Sequence, residues 1–493
     1  MSSPLSRDSL IGRMARLTLG PILALVVYAI LNSSAPDLAE PARRAITVTV
    51  LVAVWWMTEA IGVEAVGLVP LALFPLADVL EFKKVCVSYA NPIVFLFLGG
   101  MLLGRAMECS GLHRRVAMLV LRLVGASPAR LILGFLVASA AVSMVVSNTA
   151  CAVMMLPIAA SVGVAIVGEP THEPASMHSS RATSTLPAAL ALAVAYGSSI
   201  GGVGTIIGTP PVAQLAAYSN AELGVTIGFT EWMQVGMPFV LITLPIAWVT
   251  LALITPGTRG TTTSQTPVAL TTAPTPWTTR ERLVAGVFAI AILGWVTSRL
   301  TGLADPLVAI IAGVLLFIIP SSGWRSSGTR RPAFLLEWRE AERVPWGVLL
   351  LFGGGLALAE GLGSTGADVF LAKGVEGVAG LPPVLILMAV ALATIFLGEM
   401  ASNTALTAIM LPIAHAAAPV LGINPMAAIV TVALASSLSF MLPAGTPPNA
   451  LAFSTGRIRM AQMVKAGVVV NLVSGMIVPI GVVLLERLHL LPE

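Results

Sequence analysis

The chain has 493 residues, 57% of them hydrophobic and only 10% charged, with a mean hydropathy of +0.93. A soluble domain carries about 25% charged residues, so the composition excludes a soluble enzyme and points to an all-α polytopic membrane protein of the cell inner (plasma) membrane. The net charge of +4 fits basic cytoplasmic loops and no nucleic-acid partner; Cys86, Cys109 and Cys151 have neither metal-site spacing nor a disulfide framework.

A membrane span needs about 20 apolar residues. Spans are expected at 17–33, 45–62, 64–80, 93–110, 186–200 continuing past Pro211, 235–254, 283–299, 304–320, 346–362, 426–440 continuing past Pro448, and 466–486, about 11 transmembrane helices. The first apolar stretch, Leu17 to Leu31, reads as a span and not as a cleaved signal. Two further apolar stretches, about 130–165 and 383–420, are too short for two spans and too interrupted for one, so they are expected to be re-entrant helical hairpins. Between spans, 168–185 holds His172, Glu173 and His178 and reads as a solvated loop before a metal site. The Thr- and Pro-rich 256–277 reads as a linker, and Leu335 to Arg343 as a short amphipathic surface helix.

Both hairpins carry one tetrapeptide: Ser147-Asn148-Thr149-Ala150 and, 255 residues later, Ser402-Asn403-Thr404-Ala405. Leu156 to Ala159 and Leu411 to Ala414 (Leu-Pro-Ile-Ala) keep that offset, as do Phe97 with Gly99-Gly100 and Phe352 with Gly354-Gly355. Gly208-Thr209-Pro210-Pro211 and Gly445-Thr446-Pro447-Pro448 pair at an offset of 237. The chain is thus an internal repeat of about 250 residues. One Ser-Asn-Thr would read as polar glue between packed helices. Two in register, each with its own Gly-Thr-Pro-Pro, read as helix breaks, because Ser, Asn and Thr favour caps and turns and Pro-Pro removes two N–H donors. Paired breaks in two halves point to a transporter binding site.

Orientation follows Lys and Arg. With Arg7, Arg13 and Arg16 cytoplasmic, alternation puts Arg114, Arg115, Arg122, Arg130, Arg280, Arg282, Arg339, Arg343, Arg457 and Arg459 on the same side. The first hairpin then enters from the cytoplasm and the second from outside, an inverted repeat. Several other residues invite a role. Glu399 lies inside the membrane beside the second motif, which suits either function or a structural cap. Glu59, Glu64 and His415 read as structural, Arg105 and Glu108 as a pair, Trp55-Trp56 as an interfacial belt, and Met154-Met155 as core filler.

Trp55-Trp56-Met57-Thr58-Glu59-Ala60-Ile61, Tyr89-Ala90-Asn91-Pro92, Phe97-Leu98-Gly99-Gly100 and Gly111-Leu112-His113-Arg114-Arg115, together with the paired motifs, resemble the divalent anion/sodium symporter family. Its members include sodium–dicarboxylate and sodium–citrate cotransporters. The resemblance covers nearly the whole chain. It implies a homodimer in the lipid bilayer, sodium ions as coupling ions, a dicarboxylate substrate and an elevator motion of a transport domain against a scaffold. Mapped onto this chain, scaffold would be 1–127 and 282–380, transport domain 128–255 and 381–493, and linker 256–281. Sodium contacts implied are Ser143, Ser147, Asn148 and Gly208 in the first half, and Gly398, Ser402, Asn403 and Gly445 in the second. Substrate contacts implied are Asn148, Thr149, Thr209, Pro210, Asn403, Thr404, Thr446 and Pro447. The chain departs from the family at Gly398, where a Thr is usual, and at Val212, where the second copy keeps Asn449.

The motif residues suit that chemistry. Sodium prefers oxygen ligands, and hydroxyls, amides and freed carbonyls supply them without fixed charge. No Lys or Arg lies in the four motifs, so attraction for a dianion must come from bound cations and helix N-termini. The expectation is sodium-coupled symport of C4-dicarboxylates such as succinate, fumarate or malate; exchange, or carriage of citrate or sulfate, uses the same motifs. No HExxH, phosphate loop or Ser/His/Asp set marks an enzyme.

Overall fold

The computed structural model describes residues 7–124, 127–167, 185–254, 276–321, 333–374 and 376–492. Among them there is no β-strand, only a bridge between Pro320 and Phe334. The first half runs α1 (Arg7–Ser34), α2 (Glu40–Thr58), α3 (Val63–Val66), α4 (Val69–Leu76), α5 (Phe82–Tyr89), α6 (Pro92–Ser110), α7 (Leu112–Val124), α8 (Pro128–Ser143), α9 (Asn148–Val167), α10 (Thr185–Gly202), α11 (Pro210–Tyr218) and α12 (Phe229–Ile254). The second runs α13 (Thr279–Val296), α14 (Ser298–Thr301), α15 (Asp305–Ile318), α16 (Trp338–Ala341), α17 (Trp346–Thr365), α18 (Ala367–Lys373), α19 (Pro383–Gly398), α20 (Asn403–Val420), α21 (Pro425–Ser436), α22 (Pro447–Ser454) and α23 (Met460–Arg487). Six helical stretches among the described residues are long and apolar enough to cross a membrane.

Local chemistry sets the helix starts. Proline opens α6, α8, α11, α19, α21 and α22, where its missing N–H is no loss. Asn91 and Asn424 cap α6 and α21 by accepting from Ile93 N at 2.9 Å and Met426 N at 2.8 Å. Thr278 and Glu281 form a reciprocal capping box at α13. The repeat is kept in the elements: α8 and α19 start 255 residues apart, as do α9 and α20. Gly111 and Gly366, also 255 apart, end α6 and α17 at φ 80° and 72°, a left-handed geometry that suits glycine.

Both hairpins are present, with turns at 144–147 and 399–402. The helices after them are broken at 203–209 and 437–446. The first hairpin packs on α10, and the second on α21 and α23. The halves also cross: α9 packs on α22, and α20 on α11. Each hairpin therefore supports the far half of the other repeat's broken helix. α6 packs on α15, while α17 packs on α2, α3, α4 and α5. Phe97 meets its own repeat mate, Phe352, at 5.2 Å between ring centroids. A residue that touches its own counterpart marks a pseudo-two-fold axis.

Some expectations change. The span at 64–80 is two short helices, Val63–Val66 and Val69–Leu76, separated by a turn at Gly67 and Leu68, and the Gly67 carbonyl lies 2.5 Å from where a Cβ on Gly354 would sit. The helix at Leu335 to Arg343 shrinks to the single turn of α16, since Leu335 and Leu336 are buried and Leu336 N donates to Leu316 O at 2.9 Å. Trp56 is no interfacial anchor: it is fully buried and its indole donates to Val63 O at 3.0 Å, tying α2 to α3. Trp55 is partly buried and donates to Leu17 O at 3.1 Å. The loop with His172, Glu173 and His178, and linker residues 256–275, lie outside the described residues.

The first hairpin depends on close approach of backbones. On α10, Gly197 and Gly201 face α8, and a Cβ on Gly197 would sit 2.5 Å from Leu136 O. One on Gly201 would overlap Ala140 outright. Small residues four apart let apolar helices touch, and dispersion then holds them. Gly201→Val should push α8 from α10 and cost about 1–3 kcal/mol; a thermal unfolding midpoint in detergent equal to that of the unaltered protein contradicts this packing.

Candidate functional site

Four helices begin at one place. α9, α11, α20 and α22 start at Asn148, Pro210, Asn403 and Pro447. The residues at these starts line one cavity of about 1150 Å³: Ser147, Asn148 and Thr149; Gly208, Thr209 and Pro210; Ser402, Asn403 and Thr404; Gly445, Thr446 and Pro447. Of the residues expected at the site, only Ser143 and Gly398 do not line it. Ser143 stands just behind, with its hydroxyl 2.6 Å from Asn148 Oδ1. Gly398 ends α19 against Ser439, whose Oγ is 2.5 Å from where a Cβ would sit.

The four starts are of two kinds. The first turn of a helix leaves N–H groups without intrahelical partners and carries partial positive charge. Pro210-Pro211 and Pro447-Pro448 delete their own N–H groups, so α11 and α22 offer few donors. The hairpin arms α9 and α20 keep theirs. Conversely, the breaks before α11 and α22 free carbonyl oxygens. Hairpin tips thus suit anions, and broken helices suit cations.

The first half-site shows this directly. Asn148 Oδ1 lies 2.6 Å from Ser143 Oγ, 3.1 Å from Ser198 O and 3.2 Å from Gly208 O. Two carbonyls and an amide oxygen at such range repel unless a cation lies among them or the amide turns its NH₂ toward both carbonyls. Turned so, the Asn148 amide donates to Ser198 O at 3.1 Å and Gly208 O at 3.2 Å and ties the first hairpin tip to the break. Gly202 leaves it room, since a Cβ there would overlap the Asn148 amide. Ser147 Oγ accepts from Ala150 N at 3.3 Å. The break is braced by Trp232, whose indole donates to Val203 O at 2.8 Å, and by the Thr205 hydroxyl, which donates to Met144 O.

The second half-site is braced differently. Glu399 is 2% exposed. Its carboxylate accepts from Met441 N at 2.8 Å, Leu442 N at 2.7 Å and the Asn471 amide at 2.6 Å. It is therefore the clamp on the unwound segment 437–446, with its charge satisfied by three donors. Asn449 donates to Ser439 O at 3.0 Å and Leu442 O at 3.2 Å, and Thr446 Oγ1 caps α22 by accepting from Asn449 N at 3.3 Å. Thr407 donates to Asn403 O at 2.7 Å. Asn403 Oδ1 is buried without a partner, which fits an oxygen waiting for a cation. Among the described residues no group of three His, Cys, Asp or Glu could hold a metal, and the four motifs offer hydroxyl, amide and carbonyl oxygens.

Charged residues line the cavity outside the motifs. Arg105 pairs with Glu108 at 2.6 Å and also with Glu340, while Arg343 reaches Glu340 at 3.7 Å. The Arg105 guanidinium holds Glu340, on the surface turn α16, below the usual carboxylate range. Arg280, His113 and Cys109 join this wall, as do Glu59, Glu64 and Met154. Met155 is core. His415 is satisfied by Tyr218 Oη at 2.7 Å, a packing contact. Sequence reasoning missed the bracing by Trp232, Asn471 and Asn449; a lone Asn within an apolar stretch, as at Asn471, was the available signal.

Hairpins and broken helices around one shared cavity are the architecture of a membrane transporter. The chain belongs to the family defined by the sodium:sulfate symporter transmembrane region, which it matches over residues 15–488. It is 36% identical over 491 residues to the sodium-dependent dicarboxylate transporter SdcS of Staphylococcus aureus strain USA300, covering 96% of this chain and 91% of that relative. The same protein from strain NCTC 8325 matches equally, at 36% over 491 residues, 96% of this chain and 91% of that relative. Among solved structures, the YdaH transporter of Alcanivorax borkumensis superposes with a TM-score of 0.55 at 17% identity, over 83% of this chain and 89% of that one; at that identity the likeness is one of fold.

The clamp makes a prediction. Glu399→Gln replaces one acceptor oxygen by a donor that faces N–H groups, so at least one of the bonds to Met441, Leu442 and Asn471 is lost. Stability should fall by about 1.5–3 kcal/mol, read as a lower unfolding midpoint in detergent. An unchanged midpoint rules the clamp out.

Proposed function

We propose that the protein is a sodium-coupled symporter of C4-dicarboxylates such as succinate, fumarate or malate, working by an elevator motion. The observation that carries the reading is the convergence of four helix starts, rich in neutral oxygen and bare of fixed charge, on one cavity. In this reading sodium ions are co-substrates. One is held by Asn148, Ser143 and Ser147 with the carbonyl of Gly208; the other by Asn403, Ser402 and the backbone near Gly398 and Gly445. The substrate carboxylates lie against Asn148-Thr149 and Asn403-Thr404, flanked by Thr209-Pro210 and Thr446-Pro447.

Magnitudes decide the order of binding. A helix N-terminus contributes about 0.3–2 kcal/mol toward an anion. A full opposite charge at about 4 Å contributes about 4 kcal/mol at an effective dielectric of about 20. Helix starts alone therefore orient a dianion but do not offset its desolvation; cations must be there first. An empty site of neutral groups also spares the bilayer a permanent charge, so the unloaded carrier can return.

The moving body in this reading is 128–255 with 381–493, against a scaffold of 1–127 with 282–380, joined through the linker 256–281. The crossed packing of α9 on α22 and α20 on α11 supports it, since neither hairpin can move without carrying the other repeat's break. The repeat is read as inverted, with the N-terminus cytoplasmic, and the protein as a homodimer.

The decisive experiment is uptake of labelled succinate into proteoliposomes with and without an inward sodium gradient. Uptake should require sodium, and Asn148→Ala and Asn403→Ala should each lower it at least about tenfold, the cost of one lost charge-assisted contact. Equal uptake when choline replaces sodium refutes symport and leaves exchange.

A further inference from the structure

The cavity at the hairpin tips opens along α9, where Val153 is 54% exposed and lines it. The corresponding face of the second repeat is sealed: α20 packs against α17 and α18. A space of about 10 Å³ remains there, lined among others by Gln214, Tyr218, Phe352, Gly355, Leu356 and Ala408. Shifted back by 255 residues, Phe352, Gly355, Leu356 and Ala408 become Phe97, Gly100, Met101 and Val153, and all four line the open cavity. The small space is therefore the repeat counterpart of the large one, collapsed.

The correspondence is partial: Leu411 answers to Leu156, and at the offset of 237 Ala217 and Tyr218 answer to Ser454 and Thr455, none of which lines the open cavity. At the offset of 237, Gln214 answers to Leu451. Gln214 is 4% exposed, and neither its amide oxygen nor its amide nitrogen has a partner. A buried amide without partners is costly and is kept where something else needs it. Tyr218, one turn along α11, and Glu222 beyond it continue a polar stripe from the Thr209-Pro210 start toward the far end of the molecule. No Lys or Arg lines this space, whereas Arg105, Arg280 and Arg343 line the open cavity.

We infer that Gln214 is a substrate-contacting residue of a second vestibule, through which carboxylates reach the site from the face that is sealed here. Its amide, unpartnered while the vestibule is shut, donates to a carboxylate when the vestibule opens. A neutral amide stands on this face, where the other carries arginines paired with Glu108 and Glu340. The two entrances then differ chemically although the halves that build them are copies. The inference rests on the transport reading above.

The test is kinetic and directional. In vesicles holding the protein in one orientation, the succinate KM is measured separately for entry and for exit. Gln214→Leu should raise KM about tenfold in one direction, as one lost hydrogen bond to a charged group would, and leave it unchanged in the other. Gln214→Met, of matching length and without the amide, should do the same and serves if the leucine variant does not reconstitute. Equal KM changes in both directions, or none, overturn the inference. Absence of sodium-dependent uptake by the unaltered protein instead sinks the transport reading itself.

Discussion

In the proposed reading a doubly charged anion is held among apolar helices without a permanent countercharge in the four motifs. The whole arrangement answers that constraint. Charged side chains are kept out of the four motifs, and on the cavity wall Arg105 and Arg343 pair with Glu108 and Glu340. What remains at the helix starts is backbone polarity, hydroxyls and amides. These can be oriented by packing alone, and they cost little when nothing is bound.

Orienting unwound backbone inside a bilayer requires braces, and the two halves solve this with different residues. The first break leans on Trp232 and Thr205, and the second on Glu399, Asn449 and Asn471. The copies have kept the four helix starts and let the supports diverge. That pattern follows if the starts make the site and the supports need only satisfy whichever N–H and C=O groups the break exposes. Glu399, which the sequence leaves between a functional role and a structural cap, accepts three hydrogen bonds from the second break and its neighbour α23.

Much of this was legible in the sequence. The tetrapeptide repeat placed both hairpins within a few residues of their observed bounds, and Gly-Thr-Pro-Pro placed both breaks, because proline and small polar residues act locally. Nearly every expected site residue lines the cavity. The short surface elements were not legible. α7 shows Leu112, Ala117 and Leu121 on a buried face with Arg114 exposed, but thirteen residues with three arginines fail any rule built on span length. Trp56 misled because aromatic residues near helix ends suit the interface equally well; only the tertiary acceptor, Val63 O, decides its burial. Asn471 and Trp232 reach the breaks from distant segments; a lone Asn in an apolar stretch marks Asn471 as a polar partner without saying of what, and Trp232 carries no such mark.

The central claim is that cations and dianion share one site and depend on each other. Calorimetric titration of the purified protein with succinate across a series of sodium concentrations tests it most directly. Coupling between two ligands is reciprocal, so the account predicts that sodium tightens succinate and succinate tightens sodium by the same factor, at least about tenfold. Succinate affinity that stays constant as choline replaces sodium would contradict it.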